Sequence, residues 1–227
     1  MKTLKLKYVI LIIAAIIVVD QALKIWVKTN FEVGDTGVSN LSWFRLHYIE
    51  NSGMAWGWKF GNESGKMILT LFRLAAVIFG TWYLARIVKQ KYSRGFIICA
   101  ALIYAGALGN LIDSMFYGMI FDRGFHYDPE VGKYVDLNYD GVAQMFAGKG
   151  YASFLHGSVV DMLYFPIIVG KNFTFFSAIF NIADASISVG VVTLLIFQKR
   201  FFRKHVKEEP QPTIETSTDV SDKVQVS

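Results

Sequence analysis

Cysteine is almost absent: the 227-residue chain has one, Cys99. A single thiol excludes an intrachain disulfide and a cysteine-rich metal site. In an apolar stretch it reads as a small packing residue. The signatures of common hydrolases are missing too. There is no H-E-x-x-H and no G-x-S-x-G, so neither a zincin nor a serine hydrolase has motif support. No clear internal repeat occurs, although GNLID and FNIAD share an N-x-x-D pattern. The chain is also short of polar residues: 53% are hydrophobic and mean hydropathy is +0.38. That excludes an ordinary soluble domain and points to the membrane class. The net charge is +5, but the basic residues are clustered, so the charge speaks to topology and not to nucleic acid.

Four apolar runs are long enough to cross a bilayer, at about residues 8–27, 67–88, 95–117 and 175–197. No small-residue cleavage site follows the first run, and Asp20, Gln21 and Lys24 interrupt its far end. The first run therefore reads as an uncleaved span. Basic residues gather before span one, between spans two and three, and after span four. The positive-inside rule then puts both termini in the cytoplasm and segments 28–66 and 118–174 outside. The expected fold is an all-α integral membrane protein, four transmembrane helices with a small extracytoplasmic β-rich region. Residues 1–207 form one membrane-embedded domain, and residues 208–227 read as a disordered cytoplasmic tail.

The outer segments carry weaker signals. SWFRLHYIENSGMAWGW predicts short strands near the membrane surface, with Trp43, Trp56 and Trp58 suited to the interface. Asn51, Gly53 and Gly57 read as a turn. DLNYDG at 136–141 imitates the start of a calcium loop, but the twelfth position is Ala147 where a glutamate is needed, so a plain turn is expected. His156 reads as a hydrogen-bonded structural histidine.

The polar residues within the apolar frame are the candidates for chemistry. An ionisable side chain in a span is costly, so each is a functional-site hypothesis. Asp20 and Lys24 lie four apart and form either an interfacial pair, with Lys24 snorkelling, or part of a site. Arg73 either snorkels or faces the site. Gly106, Asn110 and Asp113 share one face of span three, and Gly106 and Gly109 allow close helix approach. Asn181 and Asp184 share a face of span four, and Asp161 precedes it. All these polar groups are expected near the outer leaflet at one level. Two neighbouring carboxylates tend to share a proton. One then activates water as a base while the other acts as an acid. Asp113 and Asp184 each also have a structural alternative: capping, pairing with Lys24 or Arg73, or hydrogen bonding between helices.

The motifs resemble the lipoprotein signal peptidase (signal peptidase II) family. DQALK at 20–24 matches D-Q-x-x-K, and NSGMAWG at 51–57 matches the outer turn. GNLIDS at 109–114 matches G-N-x-x-D-R, VVDM at 159–162 matches V-V-D-F, and FNIADA at 180–185 matches F-N-x-A-D-S. The resemblance implies an aspartic endopeptidase of the bacterial inner membrane. It would cut diacylglyceryl-modified prolipoproteins on the amino side of the lipidated cysteine. Carried over, Asp161 and Asp184 are the catalytic pair. Asp20, Lys24, Asn51, Gly53, Asn110, Asp113 and Asn181 bind substrate or support the site. No cofactor and no metal are implied. Membrane lipids and the prolipoprotein are the expected partners, with no nucleic acid, and a monomer is expected.

Ser114 departs from the pattern, which has an arginine there; Arg73 and Arg123 are the candidate replacements. Met54, Trp56, the long 118–157 segment and the tail after Lys207 are further departures. Two other classes stay open: a proton-coupled transporter with intramembrane relays, and a non-catalytic assembly protein using the outer segments. Metal dependence would instead favour a metallohydrolase.

Overall fold

The structure is a computed structural model that describes residues 4–37, 41, 43–51, 63–128, 133–135, 141–168, 174–176 and 178–201. In chain order, α1 (Leu6–Asn30) leads to β1 (Thr36–Gly37) and β2 (Arg45–Asn51). Next come α2 (Glu63–Lys89) and α3 (Arg94–Ile112). A π-helical turn, Asp113–Tyr117, and the short α4 (Gly118–Ile120) extend α3. Then come β3 (His126–Asp128), β4 (Lys133–Val135), β5 (Val159–Tyr164), β6 (Ile167–Ile168), β7 (Thr174–Phe176), β8 (Ile179–Phe180) and α5 (Ile182–Phe201). Gly53, Trp56, Gly57, Trp58, residues 136–140 and the tail from 202 lie outside the described residues.

Among the described residues, four helices are long and apolar enough to cross a membrane: Leu6–Asn30, Gly65–Lys89, Arg94–Ile120 and Ile182–Phe201. Their outer faces carry exposed apolar residues such as Leu11, Val18, Phe72, Ile78 and Ile196. In water such faces would be costly; in acyl chains they are solvated. α3 is the central helix, packing against α1, α2 and α5. One apolar core lies at the sheet end, around Val27, Tyr48, Tyr117, Phe121, Val160 and Met162. A second lies toward the opposite end, around Val9, Leu84, Ile87, Phe96 and Ile97.

The strands form an antiparallel sheet in the order β1-β2-β5-β8, with two further hairpins, β3-β4 and β6-β7. In the β2–β5 register Ile49 faces Asp161 and Asn51 faces Val159. The expected strands after span one are therefore present, and β5 carries the V-V-D motif.

Span four begins later than the expected 175. Residues 174–176 and 179–180 pair as strands, and the helix starts at Ile182. Asn181 explains the start. Its Oδ1 accepts the Asp184 N–H at 2.8 Å, while the Asn181 N–H donates to Asp184 Oδ2 at 3.4 Å. This reciprocal arrangement satisfies two donors that a helix N-terminus leaves open. Asp184 thus sits in the first turn of α5, not in its interior.

The α3–α5 contact depends on Gly106. A Cβ there would lie 2.2 Å from the Ala183 carbonyl oxygen and 2.6 Å from Ile187 Cγ1. Backbone oxygen cannot yield as a flexible side chain can, so α5 would have to move. Gly106→Ala is expected to cost about 1–3 kcal/mol as overpacking. Thermal unfolding in detergent measures this, and an unchanged midpoint would refute the close-contact role.

Candidate active site

Four helices and two strands bring one polar cluster together at the sheet end of the bundle. Lys24 anchors it. Its ammonium lies 2.9 Å from Asp20 Oδ2 and 2.8 Å from Asp113 Oδ2, and it donates to Asn110 Oδ1 at 2.9 Å. All three charged side chains are buried, with Lys24 at 0% exposure. Lys24 therefore does not snorkel: it is an internal cation between two carboxylates.

The same carboxylates tie the secondary structure together. Asp20 Oδ1 accepts the Ala183 N–H at 2.9 Å, joining α1 to the start of α5. Asp113 Oδ2 accepts the Val160 N–H at 3.3 Å, joining α3 to β5. Gln21 adds a bond to Asp113 Oδ1 at 2.8 Å and accepts the Tyr117 hydroxyl at 3.1 Å. Asp113 opens the π-helical turn, a local departure that recurs at functional sites.

Above this base, two asparagines present two carboxylates. Asn181 Nδ2 donates to Asp161 Oδ1 at 2.7 Å and to Asn110 Oδ1 at 3.0 Å. Asn110 Nδ2 donates to Asp184 Oδ1 at 2.7 Å. Asn51 Nδ2 reaches Asp161 Oδ2 at 3.4 Å. A continuous chain thus runs Asp161–Asn181–Asn110–Asp184, with Lys24 on Asn110 from below. Amides suit these places because each offers donors to a carboxylate and an acceptor to the next amide.

Asp161 is buried on β5 and Asp184 is half-buried. Burial, and next the negative charge of Asp184, push the Asp161 carboxyl up to about 8. Lys24 and the Asn51 hydrogen bond oppose that rise. An acid that keeps its proton at neutral pH beside a second carboxylate can serve as donor while its neighbour serves as acceptor.

The remaining candidates fall on two sides of this cluster. Arg73 belongs to it: Nη1 donates to Ser114 Oγ at 2.8 Å. Arg123 does not, and pairs with Asp122 at 3.5 Å. His156 bonds locally, to Ser153 Oγ at 3.0 Å and the Phe154 carbonyl at 2.9 Å. Gly53 lies outside the described residues.

Two neighbouring groups join the cluster without a strong sequence signal. Gln21 was visible in the DQALK motif but carries no charge to attract notice. Lys28, one helical turn beyond Lys24, is buried with Glu50 and Tyr48, joining α1 to β2. Only the i, i+4 spacing from Lys24 hinted that it faces inward.

The chain is similar to known proteins in sequence and in fold. The family model described as Signal peptidase (SPase) II matches residues 12–200. A lipoprotein signal peptidase of Porphyromonas gingivalis is 41% identical over 207 residues, covering 86% of this chain and 84% of that one. Another, of Amoebophilus asiaticus, is 32% identical over 197 residues, covering 81% and 74%. Among solved structures, a bacterial membrane enzyme determined in meso at 2.3 Å superposes with TM-score 0.56 at 23% identity. It covers 92% of this chain and 98% of that chain, and supports the fold alone. A second such structure, at 1.9 Å, gives TM-score 0.53 at 25% identity over 87% and 96% of the two chains. By sequence match along nearly its whole apolar part, the chain belongs to the signal peptidase II family, membrane aspartic peptidases that process prolipoproteins.

Proposed function

We propose that Asp161 and Asp184 are the catalytic pair, and that the substrate bond is the one on the amino side of a diacylglyceryl-modified cysteine. The observation that carries this is the amide chain: Asn181 holds Asp161 at 2.7 Å, Asn110 holds Asp184 at 2.7 Å, and the two amides bond each other at 3.0 Å. That arrangement fixes two carboxylates on different elements relative to one another.

The reaction follows from one proton shared by the pair. The ionised member takes a proton from water as the water oxygen attacks the scissile carbonyl carbon. The protonated member gives its proton to the carbonyl oxygen, forming a gem-diol. In the second step the newly protonated carboxyl donates to the leaving nitrogen and the C–N bond breaks. The other carboxylate recovers the proton from the collapsing diol. Acid and base exchange roles, and the pair returns to its starting charge. Water reaches Asp184 more readily than the buried Asp161, which favours Asp184 as the first base.

The positive-inside pattern supports an orientation with both termini cytoplasmic and the pair near the outer leaflet of the bacterial inner membrane. A lipid-modified substrate whose acyl chains lie in that leaflet brings its scissile bond to this depth. The sheet beside the pair then limits access of bulk water, as lids do elsewhere.

Purified protein in detergent, with chelator, should cut a diacylglyceryl-modified prolipoprotein peptide. Mass spectrometry should find the lipidated cysteine at the new amino terminus. The same peptide without lipid should remain intact. A cut elsewhere, or equal cutting of both peptides, would remove the substrate assignment.

A further inference from the structure

Arg73 lies on α2 between lipid-facing residues; Phe72 beside it is 70% exposed. An arginine at such depth is costly unless it turns inward. It does turn inward, donating to Ser114 Oγ at 2.8 Å. The Ser114 hydroxyl in turn donates to the Asn110 main-chain carbonyl at 2.9 Å. The guanidinium is thereby anchored on the helical turn whose Asn110 side chain donates to Asp184 at 2.7 Å.

Three further facts give this cation a task. The carboxylates whose charge reaches it are Asp113, Asp184 and Asp161. Among the described residues it forms no ion pair, and Ser114 is its hydrogen-bond partner. A guanidinium carries five N–H donors in a planar fork, so donors remain after the bond to Ser114. The other cation of the cluster, Lys24, is fully engaged with Asp20, Asp113 and Asn110. Arg73 thus has donors to offer an incoming acceptor. Ser114 is also the position where the G-N-x-x-D-R pattern carries its arginine; here the guanidinium reaches the same hydroxyl from another helix.

We propose that Arg73 is a substrate-binding residue whose guanidinium hydrogen-bonds a substrate carbonyl oxygen beside the pair, replacing the arginine that position 114 lacks. This rests on Asp161 and Asp184 being the catalytic pair. Two carbonyl sources share this chemistry: the peptide backbone flanking the scissile bond, and the ester groups of the diacylglyceryl moiety.

Steady-state cleavage by Arg73→Gln tests the idea. KM should rise about tenfold or more, with kcat changed far less, as expected on losing a bond made in both ground and transition states. Arg73→Lys, which keeps the charge, should fall between. The relocated pair Arg73→Ser with Ser114→Arg should recover most of the lost kcat/KM, which a purely structural arginine would not allow. A dialkylglyceryl ether substrate separates the sources. If wild type and Arg73→Gln become equal on it, the ester carbonyl is the ligand; if the gap persists, the backbone carbonyl is. Wild-type KM in Arg73→Gln, or a relocated variant that melts normally yet gains nothing over Arg73→Ser, overturns the proposal. Asp161→Asn run alongside keeps the two readings apart: if it is inactive while Arg73→Gln is normal, only the arginine proposal fails.

Discussion

Asp161→Asn and Asp184→Asn should each fold normally and lose nearly all cleavage. Asparagine keeps the shape and still accepts hydrogen bonds, so Asn181 and Asn110 retain acceptors at Asp161 Oδ1 and Asp184 Oδ1. What is lost is the exchangeable proton. Removing one general acid–base group typically costs about 10²- to 10⁴-fold in rate. Here each carboxyl serves as both acid and base across the two steps, so the upper end of that range is expected. For the same reason the double variant should be little worse than either single one, since groups that act as a unit are not additive. Asp184→Asn carries a further, smaller penalty, because Asp184 Oδ2 also accepts the Asn181 N–H at the helix start. Kinetics in detergent, paired with thermal unfolding, separates the two effects. Wild-type cleavage by either folded variant would remove that aspartate from the pair.

Lys24→Met should be the most destabilising single change among the charged residues. It leaves Asp20 and Asp113 buried at 1% and 0% exposure with their shared cation gone. Breaking a buried ion cluster by removing one partner costs about 3–5 kcal/mol. A fall in melting temperature on the order of ten degrees would follow. The damage would also spread, because those carboxylates hold the Ala183 and Val160 N–H groups, and with them the start of α5 and β5. Pairing Lys24→Met with Asp113→Asn removes one of the two orphaned charges. It should recover part of the lost stability, and failure to do so would show that Lys24 acts through packing instead.

The sequence signals differed in how far they could be followed, for physical reasons. The four spans were legible because hydropathy is a sum over many residues and tolerates local exceptions. The start of span four was not. The aromatic and β-branched run before Asn181 is as apolar as a helix entering a bilayer, yet it pairs as strands against β5 and β6. The deciding signal lies in Asn181 and Asp184, whose spacing is that of a helix cap but equally that of two residues on one helix face. Lys24 shows a different limit. Its spacing from Asp20 was legible, whereas Asp113 comes from another helix, and no local pattern reports such a meeting. Ser114 is similar: the missing arginine was evident as a departure, but only the fold brings Arg73 to the serine and leaves Arg123 elsewhere.

The most direct test is the pH dependence of kcat/KM for a lipidated peptide, in chelator, across about pH 6 to pH 10. Burial and the Asp184 charge hold the Asp161 proton up to about 8. The proton-sharing state therefore exists below that pH and is lost as pH rises through it. Activity should fall on the alkaline side with a midpoint near that value, a property of the coupled pair and not of either residue alone. A rate that stays level or climbs through the alkaline range would contradict a shared proton on Asp161 and Asp184.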